Sequence, residues 1–223
     1  MPLEPTLDEI QKLLMLIKFL GMQGLSLAIG PLVGAEGSIP KAMQKQSQVE
    51  RLRKELDEQI SRYLAARSPD ASEVRVLMLI ARLGNGIDAM AREVIPIGEL
   101  ARGMAPSSPV ARQMLALFEA GCEMLNHSVT ALFELGTPAA EKTLRKSREQ
   151  GIRLTGLLEQ SRQAGEGGAA WIAAVSRVAL HAHAASEEIV TFLAAYALQK
   201  SFSFGTESDA APDFNDRVRL GRS

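Results

Sequence analysis

The sequence predicts an all-α protein built from six long helices, three in each half of the chain. Three observations carry that expectation. Apolar residues recur every three or four positions over long stretches, most clearly at Val74, Leu77, Ile80, Leu83, Ile87, Ala91 and Val94. Apolar content is 46% but only 4% is aromatic, so the core must be Leu, Ala, Ile, Val and Met, and the Val and Ile residues do not alternate as a half-buried strand requires. Clusters of helix breakers then divide the chain: Gly30–Pro40, Ser68-Pro69-Asp70, Gly103–Pro109, Gly136-Thr137-Pro138 and Gly165–Gly168.

The first helix is expected over Pro5–Ile29, with Thr6 as N-cap and Glu9 three residues later in a capping-box pattern. The second is expected over Lys41–Arg67. Val49, Leu52, Leu56, Ile60 and Tyr63 form one narrow apolar seam, and Arg51, Arg53, Lys54, Asp57 and Glu58 occupy the other faces. The third opens after a cap at Asp70 or Ser72 and is expected to run unbroken to about Met104. It contains Gly84 and Gly86, each costing a helix interior roughly 1 kcal/mol relative to alanine, which points either to a close approach by another backbone or to the kept geometry of an old site. The fourth spans Val110–Leu135, with Met114, Leu117, Gly121, Leu125, Ser128 and Leu132 inward. Thr137 caps a fifth that begins at Pro138 and reaches about Ala164. The sixth spans Ala169–Phe204, with Ile172, Val175, Ala179, Ala182, Ile189, Phe192 and Tyr196 inward. Small residues at Gly21, Gly24, Gly84, Gly86, Ala182, Ala184 and Ala185 allow helices to approach closely. The polar tail 205–223 has no apolar period and is expected to be mobile.

Composition narrows the function classes. The net charge of −1 supplies no electrostatic footprint for nucleic acid. A single cysteine, Cys122, excludes an internal disulfide, fits a reducing compartment and reads as a small core hydrophobe. The acidic start MPLEPTLDE does not read as a signal peptide. Leu13–Val33 has the length of a membrane span, but Lys18, Gln23 and Pro31 interrupt it, so a buried or groove-packed helix is expected rather than a transmembrane one.

ARLGN at Ala81–Asn85 resembles the ERIGD signature of the PhoU family of phosphate-uptake regulators. SRVALHA at Ser176–Ala182 is a weaker echo of that family's second copy, ERIGDHA. VERLRKELDEQISRYL in the second helix is similar to the PhoU-like domains attached to sodium–phosphate cotransporters. The resemblance covers about residues 7–204. It implies two tandem three-helix bundles related by a pseudo-twofold, with repeats at 1–104 and 105–204. In the family, the Glu and Asp of the signature bind metal. Here Ala81 and Asn85 stand in those places in the first copy, and Ser176 and Leu180 in the second. Arg82, Gly84, Arg177 and the His181-Ala182 pair keep the shape of the motif. The acidic pair brought by the family's second helix reads Gln46-x-x-x-Glu50 here, so only Glu50 carries over. Asp88, one turn from Asn85, is a substitute ligand.

The remaining metal candidates come from spacing. Glu123 and His127 share one helix face, as do His183 and Glu187, and the two pairs would meet if their helices were neighbours. His181 and His183 point to different sides, and the Glu-x-x-His spacing of di-iron bundles is missing. A multinuclear iron or zinc cluster needs several converging hard ligands, so no cofactor is expected. No catalytic set is legible, and Gly165–Gly168 lacks the surroundings of a phosphate loop. The expectation is a non-enzymatic, cytoplasmic regulatory or adaptor protein. It would modulate phosphate transport or signalling through helix contacts with a membrane phosphate transporter or its sensor kinase. The alternatives are an iron- or zinc-binding bundle with residual hydrolase chemistry, and a helical adaptor for another membrane partner; a homodimer is left open as an assembly.

Overall fold

The computed structural model of the chain describes residues 5–35, 37–102, 109–134 and 169–203, with scattered positions between 142 and 159. The protein is all-α, with no strand among the described residues. The helices are α1 (Leu7–Ile29), α2 (Ile39–Ala66), α3 (Ala71–Arg92), α4 (Val94–Arg102), α5 (Pro109–Phe133) and α6 (Ala169–Ser203), with a 3₁₀ turn at Gly30–Val33 between α1 and α2. The described positions between 142 and 159 are also helical. The linker at 103–108, most of the fifth expected helix, Gly165–Gly168, the tail at 205–223, and the side chains of Met114, Ile172, Val175 and Tyr196 lie outside the described residues.

Local chemistry sets the helix starts. Thr6 accepts from the Glu9 amide at 3.2 Å, and the Glu9 carboxylate returns to the Thr6 amide at 2.8 Å, closing the expected capping box. Asp70 and Glu73 form a second box at the start of α3. Ser38 caps α2 two residues earlier than expected, with Pro40 in its first turn, where a missing N–H costs nothing. Gly34 closes the 3₁₀ turn at φ 69°, in the left-handed region that favours glycine.

One expected helix is interrupted. The third helix does not run unbroken to Met104: it stops at Arg92 and a separate α4 begins at Val94. The cause is Pro96, whose ring collides with the carbonyl four residues earlier, at Arg92, and which has no N–H to offer it. The chain turns at Glu93, and α4 packs across α1, α2 and α6. Gly98 of α4 sits so close to Ile39 that a Cβ there would lie 2.8 Å from its Cγ1.

Helices α1, α2 and α3 pack on one another. α5 packs on α6, and α6 also packs along α3. A continuous cluster of buried residues runs through both halves, from Ile10, Leu14 and Ile17 through Leu83 and Ile87 to Leu125, Val178 and Ile189. Gly84 is crowded by its neighbour: a Cβ would lie 2.8 Å from Leu56 Cδ2, and the end of that side chain would have to shift. The close approach there comes from a side chain rather than from backbone. Gly86 is not crowded in this way: a Cβ there would lie an ordinary 4.0 Å from Ala185 Cβ.

Candidate functional site: the motif helices and the lysine cavity

The motif positions lie on α3 and α6, which run antiparallel. Arg177 of α6 meets Glu93 at the end of α3, Ala185 lies beside Gly86, and Phe192 shares a cavity with Leu79. Gly84 is buried and Ala81 half-buried, while Arg82 and Asn85 face outward. On α6, Ser176 and His181 are half-buried and Arg177 is exposed. Leu180 is 53% exposed, which is unusual for a leucine.

Charged pairs fill the seam between α2 and α3. Arg53 Nη1 donates to Asp57 Oδ2 at 2.6 Å and to Asn85 Oδ1 at 2.9 Å. Its Nε lies 3.9 Å from Asp88 Oδ2, which also accepts from Arg92 Nη2 at 2.8 Å. Asp88 is buried, and its Oδ1 has no hydrogen-bond partner among the described residues. The Arg92 guanidinium is pushed above its ordinary pKa, first by its hydrogen bond to Asp88. Glu50 accepts from Lys54 at 3.0 Å, and that bond holds its carboxyl below the usual range. At the far end of α3, both Glu93 oxygens accept from Arg177, from Nε and Nη2 at 2.8 Å each, in the paired geometry that suits a guanidinium.

These residues do not fit the multinuclear metal cluster that the resemblance implies. Such a cluster needs free hard oxygens. Asp88 Oδ2, Glu50 Oε1 and the Asn85 oxygen each accept from a protein cation, and the unpartnered Asp88 Oδ1 is a single hard oxygen where a cluster needs several converging ones. The positive charge at this seam is protein guanidinium. The spacing-derived candidates fare no better. α5 and α6 are neighbours, and His183 and Glu187 line a cavity of about 410 Å³ with Met124 and Gly151, but neither Glu123 nor His127 lines it. No three His, Cys, Asp or Glu side chains are grouped for a metal among the described residues. Cys122 is buried, and burial pushes its thiol up to about 12, so it is inert at neutral pH.

A second site went unread in the sequence. Lys18 of α1 is only 7% exposed. Its ammonium donates to Asn126 Oδ1 of α5 at 2.7 Å, a bond between residues far apart in the chain. Burial alone lowers its pKa. It lines a cavity of about 910 Å³ with Met15, Phe19, Met22, Leu27 and Lys45. Its sequence signal is a lysine inside an apolar run, a feature that also argues against a membrane span. Leu7–Val33 is indeed long and apolar enough to cross a bilayer, and 56% of its most apolar window is buried within the protein.

No family model matches the chain, and no curated protein matches it in sequence. The likeness to PhoU proteins therefore rests on the motif residues themselves.

Proposed function

We propose that the chain is a non-enzymatic, PhoU-like regulatory module that works in the cytoplasm on a membrane phosphate transporter or its sensor kinase through helix contacts. One observation supports the reading beyond the motif resemblance. The two helices that carry the motif echoes lie against each other and leave a groove of about 450 Å³ between them. Met78, Leu79, Arg82 and Phe192 wall it, and Glu187 and Glu188 stand on its α6 side. Met78 is 49% exposed. An apolar floor bordered by both signs of charge matches an amphipathic helix, whose apolar anchors recur every three or four residues.

The test is a photocrosslinking amino acid at position 78 in cells grown with scarce and with plentiful phosphate. The expected product joins the chain to a phosphate transporter subunit or a sensor kinase, in an amount that changes with phosphate. It is absent when the probe is moved to the exposed Arg62 on α2. Equal capture at 78 and 62, or capture at 78 only of proteins unconnected with phosphate, overturns the reading.

A further inference from the structure

We infer that the cavity beside α1 is a binding site for a long-chain carboxylate, with the anionic head on Lys18 and the aliphatic tail along Met15, Phe19 and Met22. The inference is independent of the phosphate reading, because it uses a different face of the molecule and a different ligand.

Charge is the first argument. Among the described residues the lining holds two lysines, Lys18 and Lys45, and no carboxylate. Neither lysine makes an ion pair among the described residues. The hydrogen-bond partner of Lys18 is the neutral oxygen of Asn126. An amide oxygen orients an ammonium but does not neutralise it, and a buried unneutralised charge is costly. A ligand carboxylate supplies the missing counter-charge and restores the ammonium's preference for its proton.

Shape and surface are the second argument. The volume of about 910 Å³ lies within the range of small-molecule sites, roughly 300–1,000 Å³. The walls are mainly flexible apolar side chains: Met15, Phe19, Met22, Leu27 and Val33. Phe19 is 55% exposed and Met15 40%, so the mouth presents apolar surface that water hydrates poorly. Met and Phe walls adapt to a chain of variable length. A mostly apolar cavity with one convergent, desolvated charge is the pattern expected of a site for an amphiphile with a single ionic head.

The experiment titrates the full chain with laurate, kept below its micelle concentration, by isothermal calorimetry, with dodecanol and dodecyltrimethylammonium in parallel. Saturable one-to-one binding of laurate is expected, at least tenfold tighter than dodecanol, with none for the cation. In Lys18→Met the preference for laurate over dodecanol disappears while dodecanol still binds. Phe19→Glu places a like charge at an exposed position of the mouth, where folding is not at stake, and is expected to weaken laurate at least tenfold. Four outcomes overturn the inference: no saturable laurate binding; equal affinity for laurate and dodecanol in the unaltered chain; no effect of either substitution; and a dimer, seen by light scattering, that laurate does not dissociate and Phe19→Glu does. Binding to phosphatidylglycerol vesicles without binding of monomeric laurate also overturns it, in favour of a membrane surface.

Discussion

The seam between α2 and α3 and the cavity beside α1 both bury charge, and they treat it in opposite ways. In the seam, Arg53 reaches Asp57 and Asp88, and Asp88 also holds Arg92. Cation and anion come from the same chain, and the site is close to neutral by itself. In the cavity, Lys18 has an amide for company and a second lysine on the same wall. Balanced charge holds helices in register. Unbalanced charge costs stability and leaves an attraction for something outside the chain. The motif positions, where the resemblance placed function, belong to the first kind, and a residue outside every motif belongs to the second.

The sharpest way to break the comparison is Asp88→Ala. It removes the anion that Arg53 and Arg92 share, while Arg92 can still turn to water. A loss of about 1–3 kcal/mol is expected, as for deleting one member of a buried charged hydrogen bond. Urea unfolding with an unchanged slope would measure it. A loss below the error of that measurement would show that the seam is not held by charge.

Lys18→Met should act in the other direction. A buried ammonium is exchanged for an apolar chain of similar length, and Asn126 is exposed enough to bond with water instead. A gain of about 1 kcal/mol is expected, since removing a poorly compensated buried charge is often neutral or stabilising. The gain also carries a pH signature. The folded-state pKa of Lys18 lies below the ordinary 10.5, so between the two values the unfolded chain holds more protons than the folded one. Stability of the unaltered chain then rises with pH across that window. The advantage of Lys18→Met is therefore largest at lower pH and shrinks as the pH approaches 10.5. An advantage that does not change with pH would mean that the ammonium is not desolvated in the folded protein.

The smallest expected effect belongs to Asn85→Asp, which restores a carboxylate at the motif position. Arg53 already donates to that side chain, so the new charge pairs with the guanidinium at an exposed site, worth roughly 0.2–1 kcal/mol. Elemental analysis of the purified variant should find less than about one metal per two chains, because a hard cation needs several converging oxygens. Stoichiometric iron or zinc would show that the seam accepts a metal once its acid is returned.

The helical period and the Thr6 cap were legible in the sequence because they are local, whereas the Ser38 cap was not anticipated. Leu77, Ile80, Leu83, Ile87, Ala91 and Val94 are all buried as their spacing requires, and both capping boxes form between residues three apart. The end of α3 was legible too but was misread: Pro96 sits beyond a strongly periodic run, and the period masked a breaker whose effect falls four residues upstream. The partners were not legible. Arg53 is one of several basic residues on α2, and nothing local distinguishes the one that meets Asn85. Lys18 meets Asn126 only because the fold brings α5 within reach of a long lysine side chain on α1. Leu56 crowds Gly84, yet they belong to different helices. Periodicity tells which side of a helix is wet, and packing alone tells what the other side touches.

The two-pronged grip of Arg177 on Glu93 bears on how the chain comes together. The α1–α2 hairpin closes over a short loop and can assemble as soon as it leaves the ribosome. The grip spans 84 positions and waits until α6 has been made. Until then the α6-facing side of α3, with Leu79 and Gly86, stays wet. A nascent chain paused within that interval carries a sticky flank, and chaperones would be expected to engage it there.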